Sequence, residues 1–306
     1  MKILVTGGAG FIASHVVDAY IAAGHDVVIV DDLSTGKKEN LNPKAKFYHM
    51  NILDEKLQDI MKGEGIEAVN HHAAQIKVKA SLEDPYFDVK VNVLGSVLLL
   101  DLCRRADVKK FIFAASGGAM YGEADKGPFP ETHPARPLSV YGASKVSVEM
   151  YLDVFAQNFG LEYVTLRYAN VYGPRQDASG EGGVVAVFTN SMLHGGDFQI
   201  HGDGYNIRDY IYVKDLARAN LLALDYPHND FFNIGTGVSV TTNELFDTLA
   251  KATGYTKNAK HGVPRLGDLK KSVLDNSKAK KLLKWEPKYD LKAGLEETVE
   301  YYKKGN

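Results

Sequence analysis

Residues 3–32 read ILVTGGAGFIASHVVDAYIAAGHDVVIVDD and decide the fold. The stretch starts with a short apolar run, passes through a turn with three glycines and a helical pattern, and ends in a run rich in β-branched residues. A strand, a glycine turn, a helix and a second strand in this order predict a βαβ unit. The two strands are therefore expected to lie parallel in one sheet.

The same alternation continues to the middle of the chain. Apolar runs recur at residues 68–70, 110–115 and 163–168, and helical patterns cover residues 88–106 and 140–159. Strands that alternate with helices favour an α/β fold with a doubly wound parallel sheet, which is Rossmann-like.

Beyond Gly173-Pro174 the pattern loosens into glycine-rich loops. Helical patterns return near residues 213–224, 242–253 and 277–283. We expect a Rossmann domain over residues 1–172 and a smaller α/β domain over residues 173–306, interleaved with the first. The second domain would carry substrate specificity.

Composition argues against several classes of protein. The net charge of −2 gives no electrostatic basis for binding nucleic acid or a membrane. The single cysteine, Cys103, excludes a disulfide framework and a cysteine-based metal site, and its apolar surroundings predict a buried packing role. Glycines interrupt the first apolar run before a signal-peptide core or a membrane span could form, so we expect a cytoplasmic protein.

The glycine turn is a candidate site for a dinucleotide. Its Gly-x-Gly-x-x-Ala pattern, residues 8–13, lies where backbone amides can approach a pyrophosphate at a helix N-terminus. The second strand ends in two acids, which would hydrogen-bond an adenosine ribose and repel the additional phosphate of NADP. NAD is therefore the expected cofactor, and a turn used only for packing is the alternative. The expected contacts are Gly7, Gly10, Phe11, Ile12, Asp31 and Asp32.

Tyr141 and Lys145 are candidate catalytic residues. They lie one turn apart on a predicted helix, so their side chains share a face, and Ser116 ends the preceding strand. A phenol is a poor base at its usual pKa of ~10, but the Lys145 cation and a nicotinamide ring would favour the phenolate. Tyr141 would then take a proton from a substrate hydroxyl as hydride leaves the same carbon, while Ser116 hydrogen-bonds the oxygen and Lys145 holds the cofactor. A surface tyrosine and lysine are the alternative.

Further motifs extend along the chain. They are HHAA at residues 71–74, NVLG at 92–95, SGGAMYG at 116–122, RYANVYGPR at 167–175, RDYIYV at 208–213 and NIGTG at 233–237. Together with the glycine turn and the Tyr-x-x-x-Lys pair, they resemble the extended short-chain dehydrogenase/reductase family, and within it the UDP-glucose 4-epimerases. The resemblance spans nearly the whole chain.

This resemblance implies a reaction and a set of contacts. In such epimerases NAD takes hydride from C4 of a UDP-hexose, the 4-keto intermediate turns over, and hydride returns to the opposite face. Arg208 and Arg265 would pair with the substrate phosphates, with surface ion pairs as the alternative. Asn170 would contact the diphosphate, and Asp268 would hold the nucleotide ribose. The cofactor pocket would include Asn51, Ile52, Ala73, Ala74, Asn92, Tyr141, Lys145 and Tyr168.

Two departures from the family pattern bear on reaction and substrate. Gly117, Gly118 and Ala119 stand where sugar 4,6-dehydratases carry acids, so dehydration is not expected. The loop is one residue longer than in common epimerases, and Ser116 is assigned from the flanking strand. Ser272 lies at the family's gate position, where a bulky aromatic side chain excludes N-acetyl groups, so UDP-N-acetylhexosamines are expected to be accepted as well.

Other interpretations stay open at this level. The enzymatic alternative is another nucleotide-sugar oxidoreductase, such as a UDP-uronate epimerase, and the non-enzymatic one is an NAD-sensing or scaffold protein. The resemblance also implies a homodimer formed by helices near residues 88–105 and 141–159. Burial of those faces within one chain would give the same periodicity.

Overall fold

The computed structural model describes residues 1–123, 127–179, 183–197, 199–264 and 269–305. Its strands are β1 (Lys2–Thr6), β2 (Asp26–Asp31), β3 (Lys46–His49), β4 (Ala68–His71), β5 (Lys110–Ser116), β6 (Glu162–Tyr168), β7 (Asn170–Tyr172), β8 (Gln199–His201), β9 (Ile207–Arg208), β10 (Tyr210–Tyr212), β11 (Asp230–Ile234), β12 (Val240–Thr241), β13 (Lys260–Gly262) and β14 (Lys271–Ser272). Its α-helices are α1 (Phe11–Ala22), α2 (Leu57–Glu64), α3 (Val78–Glu83), α4 (Pro85–Val89), α5 (Gly95–Arg105), α6 (Gly117–Met120), α7 (Val140–Phe159), α8 (Val184–Leu193), α9 (Val213–Leu224), α10 (Thr242–Thr253) and α11 (Leu291–Lys303).

Seven of the described strands form one parallel sheet in the order β3-β2-β1-β4-β5-β6-β11. The chain builds outward from β1 to β3, then returns to the other side of β1 and continues through β4. Such a reversal opens a crevice outside the carboxyl ends of the strands, where ligands bind in doubly wound sheets. The predicted Rossmann-like α/β fold is confirmed.

Both faces of the sheet are covered by helices, and β1 shows why. Ile3 and Val5 join the apolar cluster beneath α1 and α9, whereas Leu4 joins the cluster beneath α2, α5 and α7. Successive side chains of a strand point to opposite faces, so a continuous apolar run supplies both clusters. Each of these three side chains is fully buried, which contributes ~1.5–3 kcal/mol per side chain.

The helical stretch predicted over residues 88–106 contains one π-helical turn. The chain forms α4, then a π-helical turn at Lys90–Leu94, and then α5. Asn92 lies in that turn. Its side-chain nitrogen donates to the backbone carbonyl of Gln75 at 2.9 Å, and its side-chain oxygen accepts from the backbone amide of Gln75 at 2.8 Å. The predicted helical stretch is therefore confirmed, and the wider turn within it directs Asn92 to the backbone of the loop after β4. Such π-turns are frequent at functional sites.

The later part of the chain also enters the sheet. Strand β11 pairs with β6 at the edge, and α9 packs against α1. A third apolar cluster joins α8, α10 and α11, next to the small sheets β10-β7 and β12-β9-β14. The predicted division into residues 1–172 and 173–306 stays a prediction.

No helix in the described ranges is both long and apolar enough to span a membrane. The described residues also contain no group of three or more His, Cys, Asp or Glu side chains placed to hold a metal ion. Cys103 is buried in α5, as its sequence context predicts.

Candidate active site

The glycine turn between β1 and α1 is tightly packed against its neighbours. Gly7 has a φ of 69°, and a β-carbon there would lie 2.8 Å from the amide nitrogen of Ala73. A β-carbon on Gly8 would lie 2.7 Å from Ile29. These approaches leave no room for side chains, so the turn presents bare backbone at the crevice.

Helix α1 begins at Phe11 without a side-chain cap on Gly10. The amides of its first turn are therefore available to an anion, which the helix dipole also favours. A side-chain-free turn that leads into an uncapped helix is a cradle that fits a dinucleotide pyrophosphate. The predicted contacts Gly7, Gly10, Phe11 and Ile12 all belong to this cradle.

The two acids at the end of β2 have different environments. Asp31 is buried and accepts from the amide of Ala9 at 3.0 Å and from that of Leu33 at 2.8 Å. Burial raises the pKa of Asp31, and these two hydrogen bonds oppose it. Ala9 lies in the glycine turn and Leu33 follows β2, so their amides fix the carboxylate beside the cradle, where an adenosine ribose is expected.

Asp32 faces outward from the same strand end. It accepts hydrogen bonds from the backbone amide and the hydroxyl of Ser34, and from the side-chain amide of Asn51 at 2.7 Å. Burial raises the pKa of Asp32, but the hydrogen bonds from Ser34 and Asn51 outweigh it and lower the pKa overall. The pairing brings Asn51, a predicted residue of the cofactor pocket, next to the second acid of β2, and the neighbouring Ile52 is buried.

The three predicted catalytic side chains meet at the carboxyl end of β5. Ser116 is hydrogen-bonded to the phenol of Tyr141. Lys145 lies one turn further along α7, with its Nζ 5.8 Å from the centroid of the Tyr141 ring. The ammonium donates to the carbonyl of Ala114 at 2.9 Å, which holds it against β5. The order Ser, Tyr, Lys along the chain therefore becomes one cluster in space.

Burial governs the electrostatics of this cluster. It raises the pKa of Tyr141 to about 12, and the hydrogen bond from Ser116 only partly offsets it. Burial also lowers the pKa of Lys145 to about 8. In the protein alone, burial outweighs the groups that favour the phenolate. Lowering the pKa of Tyr141 therefore needs further positive charge in the occupied site, such as that of a nicotinamide ring.

The loop after β5 explains the position of the serine. A β-carbon on Gly117 would lie 2.6 Å from Leu274 Cδ1, so a serine there would collide with a buried leucine. A β-carbon on Gly118 would lie 3.4 Å from Asn170 Oδ1, 3.7 Å from Ser272 Oγ and 4.0 Å from Ser116 Oγ. Three predicted substrate-side residues therefore lie around one position, and they are Ser116, Asn170 and Ser272.

Short strands hold these substrate-side residues. Ser272 in β14 pairs with Arg208 in β9, and β7, which begins at Asn170, pairs with β10. Asp209 is buried between them and accepts from the backbone amides of Thr236 and Gly237. Arg208 is thus placed beside Ser272. Arg265 and Asp268 lie outside the described residues.

Tyr168, a predicted cofactor contact, ends β6 with its phenol engaged inside the protein. Its hydroxyl is hydrogen-bonded to the side chain of Asn220. Its ring stacks on the imidazole of His72, with 5.9 Å between the ring centroids. His72 precedes Ala73 and Ala74, and its Nδ1 is buried without a partner among the described residues. The site therefore has an unpaired polar atom beside the segment predicted to line the cofactor pocket.

Asp88 is a site residue that sequence reasoning missed. It is fully buried beneath the catalytic helix and is hydrogen-bonded to Ser144, which lies between Tyr141 and Lys145. The available signal was its position one helical turn before Asn92. Its partner Ser144, on α7, is 56 residues away in sequence, and no local pattern indicates that contact.

Known proteins match this chain over nearly its whole length. Residues 3–235 match the NAD dependent epimerase/dehydratase family. A UDP-glucose 4-epimerase of Mycolicibacterium smegmatis is 42% identical over 99% of each chain. The crystal structure of a UDP-glucose 4-epimerase with UDP-glucose from Thermotoga maritima is 53% identical, with a TM-score of 0.98 over 100% of this chain and 99% of that one.

A third relative differs in its named substrate. A UDP-N-acetylglucosamine 4-epimerase of Methanobrevibacter ruminantium M1, in complex with UDP-N-acetylmuramic acid, is 37% identical. Its TM-score is 0.95 over 100% of this chain and 99% of that one. The glycine cradle, the Ser-Tyr-Lys cluster and these matches agree, and the chain belongs to the NAD dependent epimerase/dehydratase family.

Proposed function

We propose that the protein interconverts UDP-glucose and UDP-galactose by reversible oxidation at C4, with NAD as cofactor. The observation that carries the proposal is the cluster of Ser116, Tyr141 and Lys145 beside the glycine cradle. The M. smegmatis and T. maritima relatives, both named UDP-glucose 4-epimerases, support the substrate.

The cradle of residues 7–12 would hold the pyrophosphate of NAD, and Asp31 would accept from its adenosine ribose. Asn51, Ile52, Ala73, Ala74 and Asn92 would line the rest of the pocket, with Asp32 orienting Asn51. NAD, when bound, supplies a reversible hydride acceptor for C4 of the sugar.

The side chains of the site would manage the proton. Tyr141 takes the proton of the C4 hydroxyl and returns it to the same oxygen after the sugar has turned over. Ser116 donates a hydrogen bond to Tyr141 or to that oxygen, and Lys145 holds the nicotinamide ribose and adds positive charge. The proton and the hydride are both returned, so no net oxidation results.

Asn170 and Arg208 would hold the diphosphate on the substrate side, together with Arg265 and Asp268, which lie outside the described residues. The glycines of the loop carry no acid, and a β-carbon on Gly117 would meet Leu274. Elimination of water from the sugar needs proton transfer by such an acid. Epimerisation without dehydration is therefore the expected outcome.

The proposal is tested by incubating the purified protein with UDP-galactose, without external reductant, and separating the products by chromatography. Formation of UDP-glucose supports it. Turnover of a UDP-uronate with no turnover of UDP-galactose would favour the uronate epimerase. Bound NAD with no turnover of either would favour the NAD-sensing or scaffold protein.

We also propose that UDP-N-acetylhexosamines are substrates. Ser272 is small, and its hydroxyl would lie 3.7 Å from a β-carbon on Gly118, so a small side chain stands next to the segment after Ser116. The M. ruminantium relative is named a UDP-N-acetylglucosamine epimerase. Conversion of UDP-N-acetylgalactosamine in the same assay would support this wider range.

Replacing Ser272 by tyrosine is expected to lower the N-acetyl activity by ~10–200-fold, because a ring at this position fills the space that the acetamido group needs. Activity on UDP-galactose is expected to stay within about threefold. The kcat/KM of both substrates gives the measurement, and Ser272→Ala is the matched control. An equal loss on both substrates would contradict the role of Ser272 as a gate.

We further propose a homodimer through the surface of α3, α4 and α7. Helices α3 and α4 pack against α7, and large apolar side chains are exposed across this surface. They are Leu82, Tyr86, Phe87, Val89, Leu94, Met150, Tyr151, Val154 and Phe159. Met150 is 68% exposed and Tyr86 is 77% exposed. Exposed apolar side chains grouped on neighbouring helices are typical of an interface between protein chains.

Replacing Met150 and Val154 together by glutamate is expected to convert the dimer to a monomer, because the interface would then bury unpaired charges. Sedimentation would show wild-type protein at twice the chain mass and the variant at the chain mass. Lys62→Glu, on the exposed side of α2, is the matched control. A wild-type protein that sediments as a monomer at micromolar concentration would contradict the proposal.

A further inference from the structure

Asp88 is a fully buried carboxylate with three hydrogen-bond donors. Its Oδ1 accepts from the hydroxyl of Ser144 at 2.6 Å. Its Oδ2 accepts from the side-chain amides of Gln75 at 2.8 Å and Asn92 at 3.1 Å. A buried carboxylate needs hydrogen-bond donors in place of water, and these three side chains supply them.

Its partners belong to two parts of the proposed active site. Ser144 is the residue before Lys145 on α7, and Gln75 follows the Ala73-Ala74 segment after β4. A second contact joins the start of α7 to α3, since the backbone amide of Tyr141 donates to the hydroxyl of Ser81 at 3.2 Å. Asp88 therefore ties the start of the catalytic helix to the loop that lines the predicted cofactor pocket.

Asp88 also supplies the negative charge near Lys145. Among the described residues no carboxylate forms an ion pair with Lys145, and its only hydrogen bond is to Ala114. Burial lowers the pKa of Lys145, and Asp88 acts against that shift. His71 and His72 also face Lys145, but burial lowers the pKa of both, so they stay neutral. Asp88 raises the pKa of Tyr141 as well.

We propose that Asp88 is a positioning residue that fixes Tyr141 and Lys145 relative to the cofactor loop and balances the buried ammonium of Lys145. The proposal rests on the proposed function, because it gives that reaction its protonated lysine. Asp88 acts through Ser144 and through its charge, without touching the substrate.

The test is Asp88→Asn in the full-length protein, with kcat for UDP-galactose measured between pH 6 and 9. Activity needs protonated Lys145 and ionised Tyr141, so it falls as pH rises through the pKa of Lys145 and as pH falls through that of Tyr141. Loss of the Asp88 charge lowers both pKa values. Both limbs of the profile are expected to move to lower pH, with kcat at least ~10-fold lower at pH 8.5 and KM within about threefold.

Two controls separate charge from structure. Ser144→Ala removes the hydrogen bond but keeps the carboxylate, so it is expected to lower kcat without moving the limbs. Asp84→Asn changes an exposed acid that caps α4, where asparagine caps equally well. This variant is expected to change neither kcat nor the positions of the two limbs. An Asp88→Asn profile that is uniformly scaled, with unmoved limbs, would overturn the proposal.

A second measurement tests the proposal if the Asp88→Asn variant does not fold. Lysine labelled with ¹³C at Cε can be followed by NMR in the wild-type protein, with Lys145→Arg identifying the resonance. Lys145 is expected to be protonated at pH 7, and a neutral Lys145 at that pH would overturn the proposal. This titration needs no turnover, so failure of the proposed function and failure of the role of Asp88 are distinguishable.

Discussion

Replacing Tyr141 by phenylalanine is expected to lower epimerisation of UDP-galactose by ~10²–10⁴-fold while NAD binds as before. The change removes one oxygen, which is the proposed base, and leaves the ring in place. The buried phenol is hydrogen-bonded to Ser116, so its loss costs only about 1 kcal/mol of stability. The effect is measured by kcat under saturating substrate, with NAD affinity from calorimetry.

Tyr151→Phe is the matched control for this variant. Tyr151 lies on the same helix, is 41% exposed and belongs to the proposed dimer surface rather than to the site. Loss of the Tyr151 hydroxyl is expected to leave kcat within about twofold of the wild-type value. Turnover by Tyr141→Phe at the wild-type rate would show that another group moves the proton.

Replacing Lys145 by methionine is expected to lower kcat by at least ~10²-fold and to leave the melting temperature equal or higher. Its pKa of about 8 in the folded protein means that the buried ammonium costs on the order of 3 kcal/mol relative to water. One hydrogen bond to Ala114 recovers only part of this. A residue that lowers stability but is needed for turnover is typical of active sites. Steady-state kinetics and thermal unfolding give the two measurements.

Lys110→Met provides a close control, because Lys110 is a second buried lysine at the opposite end of β5. It also donates to a carbonyl, that of Tyr226, but it has Glu162 as an ion-pair partner at 3.5 Å. Its loss is expected to spare kcat and to lower the melting temperature. A melting temperature that falls for Lys145→Met as much as for Lys110→Met would contradict the assignment of Lys145 to function.

The sheet could be predicted because its strands are short, apolar and rich in β-branched residues, and because glycine turns separate them from helices. The π-helical turn between α4 and α5 could not. Its cause is the pair of hydrogen bonds between Asn92 and Gln75, which are 17 residues apart. No helical pattern in the sequence reports a contact with a loop.

The same distinction holds within the candidate site. Tyr141 and Lys145 could be placed together because helix geometry fixes their spacing. The position of the serine depends on Leu274, far along the chain, which excludes a side chain at Gly117. Charges could be counted from the sequence, but the raised pKa of Tyr141 comes from burial, which only the packed structure defines.

The pairing of β11 with β6 has a consequence for how the chain is made. While the ribosome has released only the residues up to β6, that strand has an open edge of unpaired amides and carbonyls. Residues 230–234 must emerge before the edge is closed. Open edges of this kind invite pairing with other chains, so nascent protein is expected to need protection from self-association over this interval.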